Sequence, residues 1–329
     1  MKALIVTRHG GAEVIEAQER PLPEPGPGEV RVRVTHVGLN HLDVWVRRGV
    51  PGHPFPLPLI PGSDIVGVRE DTGERVAIAP ATWCGSCARC DEGRQDLCRR
   101  YSIRGEGQDG GCCEAVVVKE GALLPIGDLP PERAAALPLS LLTAWHLLAT
   151  RAGVRPGQRV LVQGGAGGVG SLAIQVARVL GARVVASAST SEKRALCVQL
   201  GAEAAFTYDD VVKGTKGWSG DGVDVVIDSS GAATWKDSLR VLRWGGTYAT
   251  CGATAGHAVE LDLRALFFKQ LTLVGGTMGG PAEMRIAWDA VRCGAIVPVV
   301  DRVLPMDKIG EAHAAIEGRE VAGKVVLES

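Results

Sequence analysis

The segment 159–170, a short apolar run closed by Gly164-Gly-Ala-Gly-Gly-Val-Gly170, limits the fold more than any other part of this 329-residue chain. An apolar helical pattern (Leu172, Ile174, Val176, Val179, Leu180) follows at once. Strand, glycine turn and helix make one half of a parallel crossover. The rhythm then repeats. Residues 183–186, 223–227, 246–250 and 271–274 read as strands, and 168–181 and 191–201 as helices. Strands alternating with helices predict an α/β fold with a doubly wound parallel sheet.

Within the turn, Gly165, Gly167 and Gly170 form G-x-G-x-x-G. The first glycine is expected to allow the tight turn, the second to admit a pyrophosphate, and the third to let helix and strand pack closely. Gly168 and Val169 open the helix, whose free N–H groups and partial positive charge suit phosphate. A dinucleotide cofactor is therefore expected. The next strand runs into Ala186-Ser-Ala-Ser-Thr190, without the carboxylate that NAD binders place against the ribose hydroxyl. Ser189, Lys193 and Tyr208 are predicted to hold a 2′-phosphate, which favours NADP over NAD. The alternative is that Glu192 takes the ribose and Lys193 is a solvated helix residue.

Residues 1–125 have a different texture. Short strands are expected at 2–6, 29–37, 65–68, 75–79 and 114–118, with Pro and Gly between them and a stiff connector at 21–28. The tail returns to short strands at 297–299 and 325–327. The expected division is a first domain at 1–125, a cofactor domain at 126–295 and a return to the first domain at 296–329.

Cys84, Cys87, Cys90 and Cys98 are spaced C-x2-C-x2-C-x7-C. Four thiolates so close in sequence can surround one zinc and leave no open position, which marks a structural ion. The 84–98 lobe is rich in charge and has little to bury, so a metal would hold it together. The other cysteines (Cys112, Cys113, Cys197, Cys251, Cys293) are scattered, as expected of reduced thiols in a cytoplasmic protein. A net charge of -1 gives no bulk attraction to nucleic acid or an anionic membrane. The N-terminal apolar run is too short for a leader or a membrane span.

Glycine turn, cysteine lobe and domain order together resemble the medium-chain dehydrogenase/reductase family of zinc alcohol dehydrogenases and quinone oxidoreductases. The resemblance rests on Pro-Gly-Pro-Gly-Glu-Val at 25–30, Gly-Leu-Asn-His-Leu-Asp at 38–43, Pro-Gly-Ser-Asp at 61–64, Gly-Glu-Arg-Val at 73–76 and Leu-Thr-Ala-Trp at 142–145. It implies a GroES-like catalytic domain, a Rossmann cofactor domain and an active site between them. It also implies that Thr143 lies on the nicotinamide side, together with Gly252, Gly275 and Thr277 after later strands. The 271–274 strand resembles the family's dimer strand, so a homodimer or homotetramer is expected.

The departures from the family redirect the chemistry. Asn40 stands where zinc alcohol dehydrogenases carry a metal-binding Cys, and Ser63-Asp64 where they carry His-Glu. Pro138-Leu-Ser-Leu-Leu supplies no third ligand, and Leu42 replaces the proton-relaying hydroxyl. A catalytic zinc needs about three protein ligands and an open position, so none is expected here. The resemblance then implies an oxidoreductase passing hydride from NADPH to a quinone or α,β-unsaturated carbonyl, an acceptor that carries its own electron sink. One alternative is a zinc-type alcohol dehydrogenase with a site built from His41, Asp43 and Asp64. Another is a catalytically silent NADPH-binding sensor or partner-binding protein. Asn40 could donate to a substrate carbonyl or serve the loop backbone. His41 could donate a proton or lie behind the site. Asp43 is expected to fix loop geometry. Ser63 and Asp64 could line the cleft, or Asp64 could pair with an arginine.

Overall fold

The computed structural model describes residues 1–329. The chain forms two compact units. The first comprises Met1–Leu139, Gly280–Trp288 and Pro298–Ser329, and the second Ser140–Gly279 and Asp289–Val297.

The first unit is built on a seven-stranded sheet. Its order is Val300–Pro305, Lys324–Glu328, Glu29–Gly38, Asp64–Arg69, Arg75–Ile78 and Leu123–Pro125, and Ala115–Lys119 also pairs with Glu29–Gly38. All pairings are antiparallel except that of Val300–Pro305 with Lys324–Glu328. Alternation along Glu29–Gly38 explains the core: Val32, Val34 and Val37 are buried and meet Ile65, Val76, Ile78, Val116, Val118, Val325 and Leu327. Apolar side chains on one face of an antiparallel sheet are what such alternation buries.

The first unit extends past the expected boundary at 125. Ile126 donates its N–H to Arg75, and the Ala135 carbonyl lies where a Cβ on Gly38 would stand, 1.9 Å away. Only glycine at 38 allows that approach. Trp288, expected in the cofactor domain, donates its indole N–H to the Pro125 carbonyl at 3.0 Å. The tail also differs from expectation. Its strand is Val300–Pro305 rather than 297–299. Pro298 has no N–H for a ladder, and pairing with the final strand starts at Val300 opposite Lys324.

The second unit holds a six-stranded, wholly parallel sheet in the order Ala204–Phe206, Arg183–Ser187, Arg159–Val162, Val223–Asp228, Leu242–Thr250, Thr272–Gly275. The direction of winding reverses between Arg159–Val162 and Val223–Asp228. In open α/β sheets the carboxyl ends of the strands on either side of such a switch form the ligand crevice. Helices Gly168–Val179 and Ser191–Gln199 follow the first two strands of the unit. No helix of the protein is long and apolar enough to cross a membrane.

Candidate functional site

In the second unit, the glycine turn shows why its residues are small. Gly164, not Gly165, carries the left-handed backbone, with φ +64°. Gly165 is required for space: a Cβ there would meet the Ala186 Cβ at 2.7 Å and the Cys197 Sγ at 2.9 Å. At Gly170 a Cβ would strike the Gly164 carbonyl oxygen at 2.2 Å, so helix and turn touch backbone to backbone. Gly167 caps the helix that begins at Gly168 and Val169. A Cβ there would find only the Gly164 oxygen, at 3.4 Å. Nothing in the protein itself demands glycine at 167, so its bare backbone suits an incoming phosphate at a helix N-terminus.

Beneath this turn lies a buried polar network. Ser187 at the end of its strand donates Oγ–H to Gln163 Oε1 at 2.5 Å, and its Oγ accepts the Gly164 N–H at 3.2 Å. Gln163 in turn donates to Ser238. Asp228 ends the strand across the switch point and is fully buried. It accepts from the Ser230 N–H at 2.7 Å, the Thr234 hydroxyl at 2.6 Å and the Tyr248 hydroxyl at 3.2 Å. These bonds stiffen the strand ends that carry the glycine turn.

Of the residues predicted to choose the cofactor, Ser189 is exposed just beyond its strand. Thr190 caps the next helix, its Oγ1 accepting the Lys193 N–H at 3.2 Å. The Tyr208 hydroxyl lies 3.8 Å from the place of a Gly164 Cβ, which brings it to the glycine turn. Glu192 is exposed and accepts from the Ser191 hydroxyl at 2.9 Å. Sequence reasoning missed Arg194, whose guanidinium donates to the Ser189 carbonyl at 3.1 Å. A second basic residue directly after Lys193 was the available signal. Thr143 is buried within the body of helix Pro138–Trp145. Gly252 follows the Leu242–Thr250 strand, where a Cβ would meet the Ser229 carbonyl at 2.8 Å. Gly275 is the last residue of its strand, and its carbonyl accepts from Arg151 Nε at 2.7 Å. The Thr277 hydroxyl donates to the Met278 carbonyl.

In the first unit, sheet register assembles a second polar cluster. Gly38 stands opposite Asp64 on one side and Val326 on the other, and Leu39 donates its N–H to Val325. One step further along, Asn40 meets Lys324. The Asn40 Oδ1 accepts from Lys324 Nζ at 2.5 Å, and Asn40 Nδ2 donates to Asp64 Oδ2 at 3.0 Å. Lys324 Nζ also lies 2.8 Å from Asp64 Oδ2, and Asp64 Oδ1 accepts the Leu139 N–H at 2.6 Å. Asp64 is fully buried and Lys324 is 4% exposed. Asp64 thus pairs with a lysine rather than with an arginine. Lys324 escaped the sequence reading altogether.

Asn40 also caps helix His41–Arg48. Asp43, fully buried, accepts the Asn40 N–H at 2.7 Å and the Gly62 N–H at 2.9 Å. Both of its oxygens serve backbone, so it clamps the 40–43 loop to the Gly62 turn. Burial pushes its carboxyl up to about 6, against the two N–H donors and the Lys324 charge. Ser63 is buried and its hydroxyl has no hydrogen-bond partner. His41 keeps an exposed surface. Crowding by the surrounding chain lowers its pKa first, then the Lys324 and Arg319 charges, with Glu317 opposing.

The cysteine lobe forms the third feature. Cys84, Cys87, Cys90 and Cys98 converge with sulfur–sulfur distances of 3.8 Å (84 to 90), 3.6 Å (87 to 90), 3.8 Å (87 to 98) and 3.5 Å (98 to 84). A zinc ion bonded at about 2.3 Å to four tetrahedral thiolates separates its sulfurs by about 3.8 Å. The residues fit such an ion, and their sulfurs fill all four corners. Backbone N–H groups of Ser86 and Arg100 point at the Cys84 and Cys98 sulfurs, at 3.5 and 3.3 Å. Those donors suit ligands that carry negative charge.

A doubly wound nucleotide sheet in one unit, with a GroES-like sheet and a four-thiol lobe in the other, defines a class of oxidoreductase. Residues 26–128 match the alcohol dehydrogenase GroES-like domain, and residues 168–292 match the zinc-binding dehydrogenase domain. The acryloyl-coenzyme A reductase of Sulfurisphaera tokodaii is 30% identical, with all of both chains covered. A solved NAD-dependent alcohol dehydrogenase superposes with a TM-score of 0.96 at 40% identity, again over the whole of both chains. The quinone oxidoreductase of Thermus thermophilus, solved also with NADPH, gives 0.82 at 35% identity over 100% of each chain. The chain belongs to the medium-chain dehydrogenase/reductase family, and it is an NAD(P)-dependent oxidoreductase of that family.

Proposed function

We propose that this protein reduces quinones or α,β-unsaturated carbonyls with NADPH, with one structural zinc per chain in the cysteine lobe and no catalytic metal. The observation that carries this reading is the cluster of Asn40, Asp64 and Lys324. Both Asp64 oxygens and the Asn40 amide oxygen already receive hydrogen bonds, and an ammonium of the chain itself lies 2.8 Å from Asp64. A metal ion at these residues would have to displace that ammonium and would find one carboxylate and one amide. Both Asp43 oxygens are likewise committed to backbone N–H groups. That donor set does not fit a catalytic zinc, which needs about three good ligands. Hydride transfer to a conjugated acceptor needs only hydrogen bonds to the oxygen that gains charge. Asn40 and His41 are the candidate donors in this reading, with Ser63 lining the substrate side and Asp43 and Asp64 supporting them.

The absence of a carboxylate at the end of the second strand favours NADPH, with Ser189, Lys193 and Tyr208 on the 2′-phosphate. The glycine turn receives the pyrophosphate, and Thr143, Gly252, Gly275 and Thr277 surround the nicotinamide. The domains follow the same division of labour, with the catalytic residues in the first and last segments. A cytoplasmic homodimer or homotetramer completes the reading. A zinc-dependent alcohol dehydrogenase using NAD is the second reading, favoured by the solved relative at 40% identity.

Metal analysis together with turnover separates the two. The expected result is about one zinc per chain and oxidation of NADPH with menadione or cyclohexenone. Two zinc ions per chain and NAD-dependent oxidation of simple alcohols would replace the first reading by the second. Lys193→Ala is expected to weaken NADPH by about tenfold, the loss of one exposed charge–phosphate contact, and to leave NADH unchanged. Equal weakening of both would remove Lys193 from the phosphate site.

A further inference from the structure

Lys324 sits where an apolar residue would be expected. It opens the Lys324–Glu328 strand, whose next three residues are fully buried valine, valine and leucine. Its backbone is anchored on the N-terminal side. Gly323 before it has φ +86° and no room for a side chain against the Val299 carbonyl, and the Lys324 N–H donates to that same carbonyl at 3.0 Å. The side chain runs into the interior and ends between Asn40 and Asp64.

Stability does not explain the charge. Replacing a buried ion pair with apolar residues of similar size is often neutral or favourable, because desolvating two charges offsets their attraction. What an ammonium does that a hydrocarbon cannot is donate without accepting. Beside it, the Asn40 amide has one permitted orientation, with Oδ1 toward Lys324 and Nδ2 toward Asp64. A neutral residue at 324 would remove the donor on Oδ1 and leave the amide held only by Asp64 and the helix cap.

We propose that Lys324 is the positioning residue of the candidate reductase site, orienting the Asn40 amide through direct contact and through Asp64, and holding a fixed positive charge beneath the 40–43 loop. This rests on the reductase reading given above. The charge is felt beyond Asn40. After burial, which lowers the His41 pKa most, the Lys324 charge lowers it further, together with that of Arg319 just beyond the last helix. Glu317 acts in the opposite sense. It also favours the ionised form of Asp43, two residues along the same helix as His41. In a site that passes hydride to a conjugated acceptor, a fixed cation and a fixed amide donor are both in place before negative charge develops on the acceptor oxygen, so neither has to reorganise at that moment.

The test uses the full-length chain with NADPH as donor and menadione or cyclohexenone as acceptor, in Lys324→Met and Lys324→Arg. Lys324→Met should lower kcat by about tenfold or more, the cost of a misplaced catalytic group, with the KM for NADPH unchanged. Lys324→Arg should recover most of the rate, because it restores a donor-only cation. A second readout is the imidazole titration of His41 by NMR. Its midpoint should rise in Lys324→Met and stay in place in Lys324→Arg. An unchanged kcat or an unmoved His41 midpoint in Lys324→Met overturns the proposal. If wild type turns over neither acceptor, the reductase reading falls, and the His41 titration alone then decides whether Lys324 supplies the charge. Should Lys324→Met fail to fold, the pair Asp64→Asn with Lys324→Met removes both charges at once. A folded double variant with wild-type kcat overturns the proposal, and one with the same loss supports it.

Discussion

The cysteine lobe and the Asn40–Asp64–Lys324 cluster lie in the same unit and solve opposite problems. The lobe draws four ligands from 15 consecutive residues, Cys84 to Cys98, and has almost no core of its own. The cluster draws three residues from positions 40, 64 and 324, all of them buried. The first needs an ion supplied from outside. The second carries its own cation on a side chain. A site made from neighbours in sequence depends on its metal to fold, whereas a site made from distant segments depends on sheet register to form.

Removing the metal should separate the two most strongly. Chelation, or Cys87→Ser with Cys98→Ser, is expected to cost the lobe its structure, since binding energy at structural zinc sites is on the order of 10 kcal/mol. Hydrogen exchange should then show lost protection at 84–100 and unchanged protection at Asn40 and Lys324. Equal loss in both places would mean that the cluster, too, depends on the ion.

The next largest effect belongs to the ion pair. Asp64→Asn leaves the Lys324 ammonium buried without its counter-charge, at a cost of about 3–5 kcal/mol. Adding Lys324→Met should restore much of that loss, as read by denaturant unfolding. A single variant as stable as wild type would show that the cluster is not a buried pair in solution.

A milder test comes from pH. His313 is fully buried, neither of its ring nitrogens finds a partner, and burial followed by the Arg47 charge holds its pKa down to about 3. An ordinary histidine takes its proton near 6.5. Between those values the unfolded chain binds a proton that the native chain does not, so stability rises with pH through this window and is lost as pH falls from 6.5 toward 3. The loss should be on the order of 1 kcal/mol per pH unit, and His313→Leu should flatten it. An unaltered slope in that variant would assign the acid sensitivity to other groups.

The smallest effect is expected at Ser63. Its hydroxyl is buried without a partner, so Ser63→Ala should leave stability within about 1 kcal/mol of wild type or raise it. Reduced turnover in a variant of undiminished stability would identify Ser63 as a group kept for the substrate.

How much of this was legible depended on sequence distance. The strand Lys2–Val6 and the helix opening at Gly168 fell where alternation and the glycine turn predicted them. The four thiols were legible because their spacing is local. Asn40 and Asp64 stood out only as departures from a family pattern. Lys324 gave no such signal, since its role arises when Lys324–Glu328 pairs with Glu29–Gly38, and pairing between strands so far apart leaves no mark in either sequence. The boundary near 125 was misplaced for a related reason. The short helix Pro131–Ala134 lies beyond that boundary, yet it packs on the Glu29–Gly38 strand because Gly38 lets the Ala135 carbonyl in. At the glycine turn the pattern was recognised while the strained residue was not, because Gly164 lies just outside the motif.

The final strand has a consequence for how the protein is made. Asn40 and Asp64 leave the ribosome early, and their cation follows only when residue 324 emerges. Throughout most of synthesis the Asp64 carboxylate therefore has no lysine to pair with, while the nucleotide sheet, contained within 140–297, is already complete.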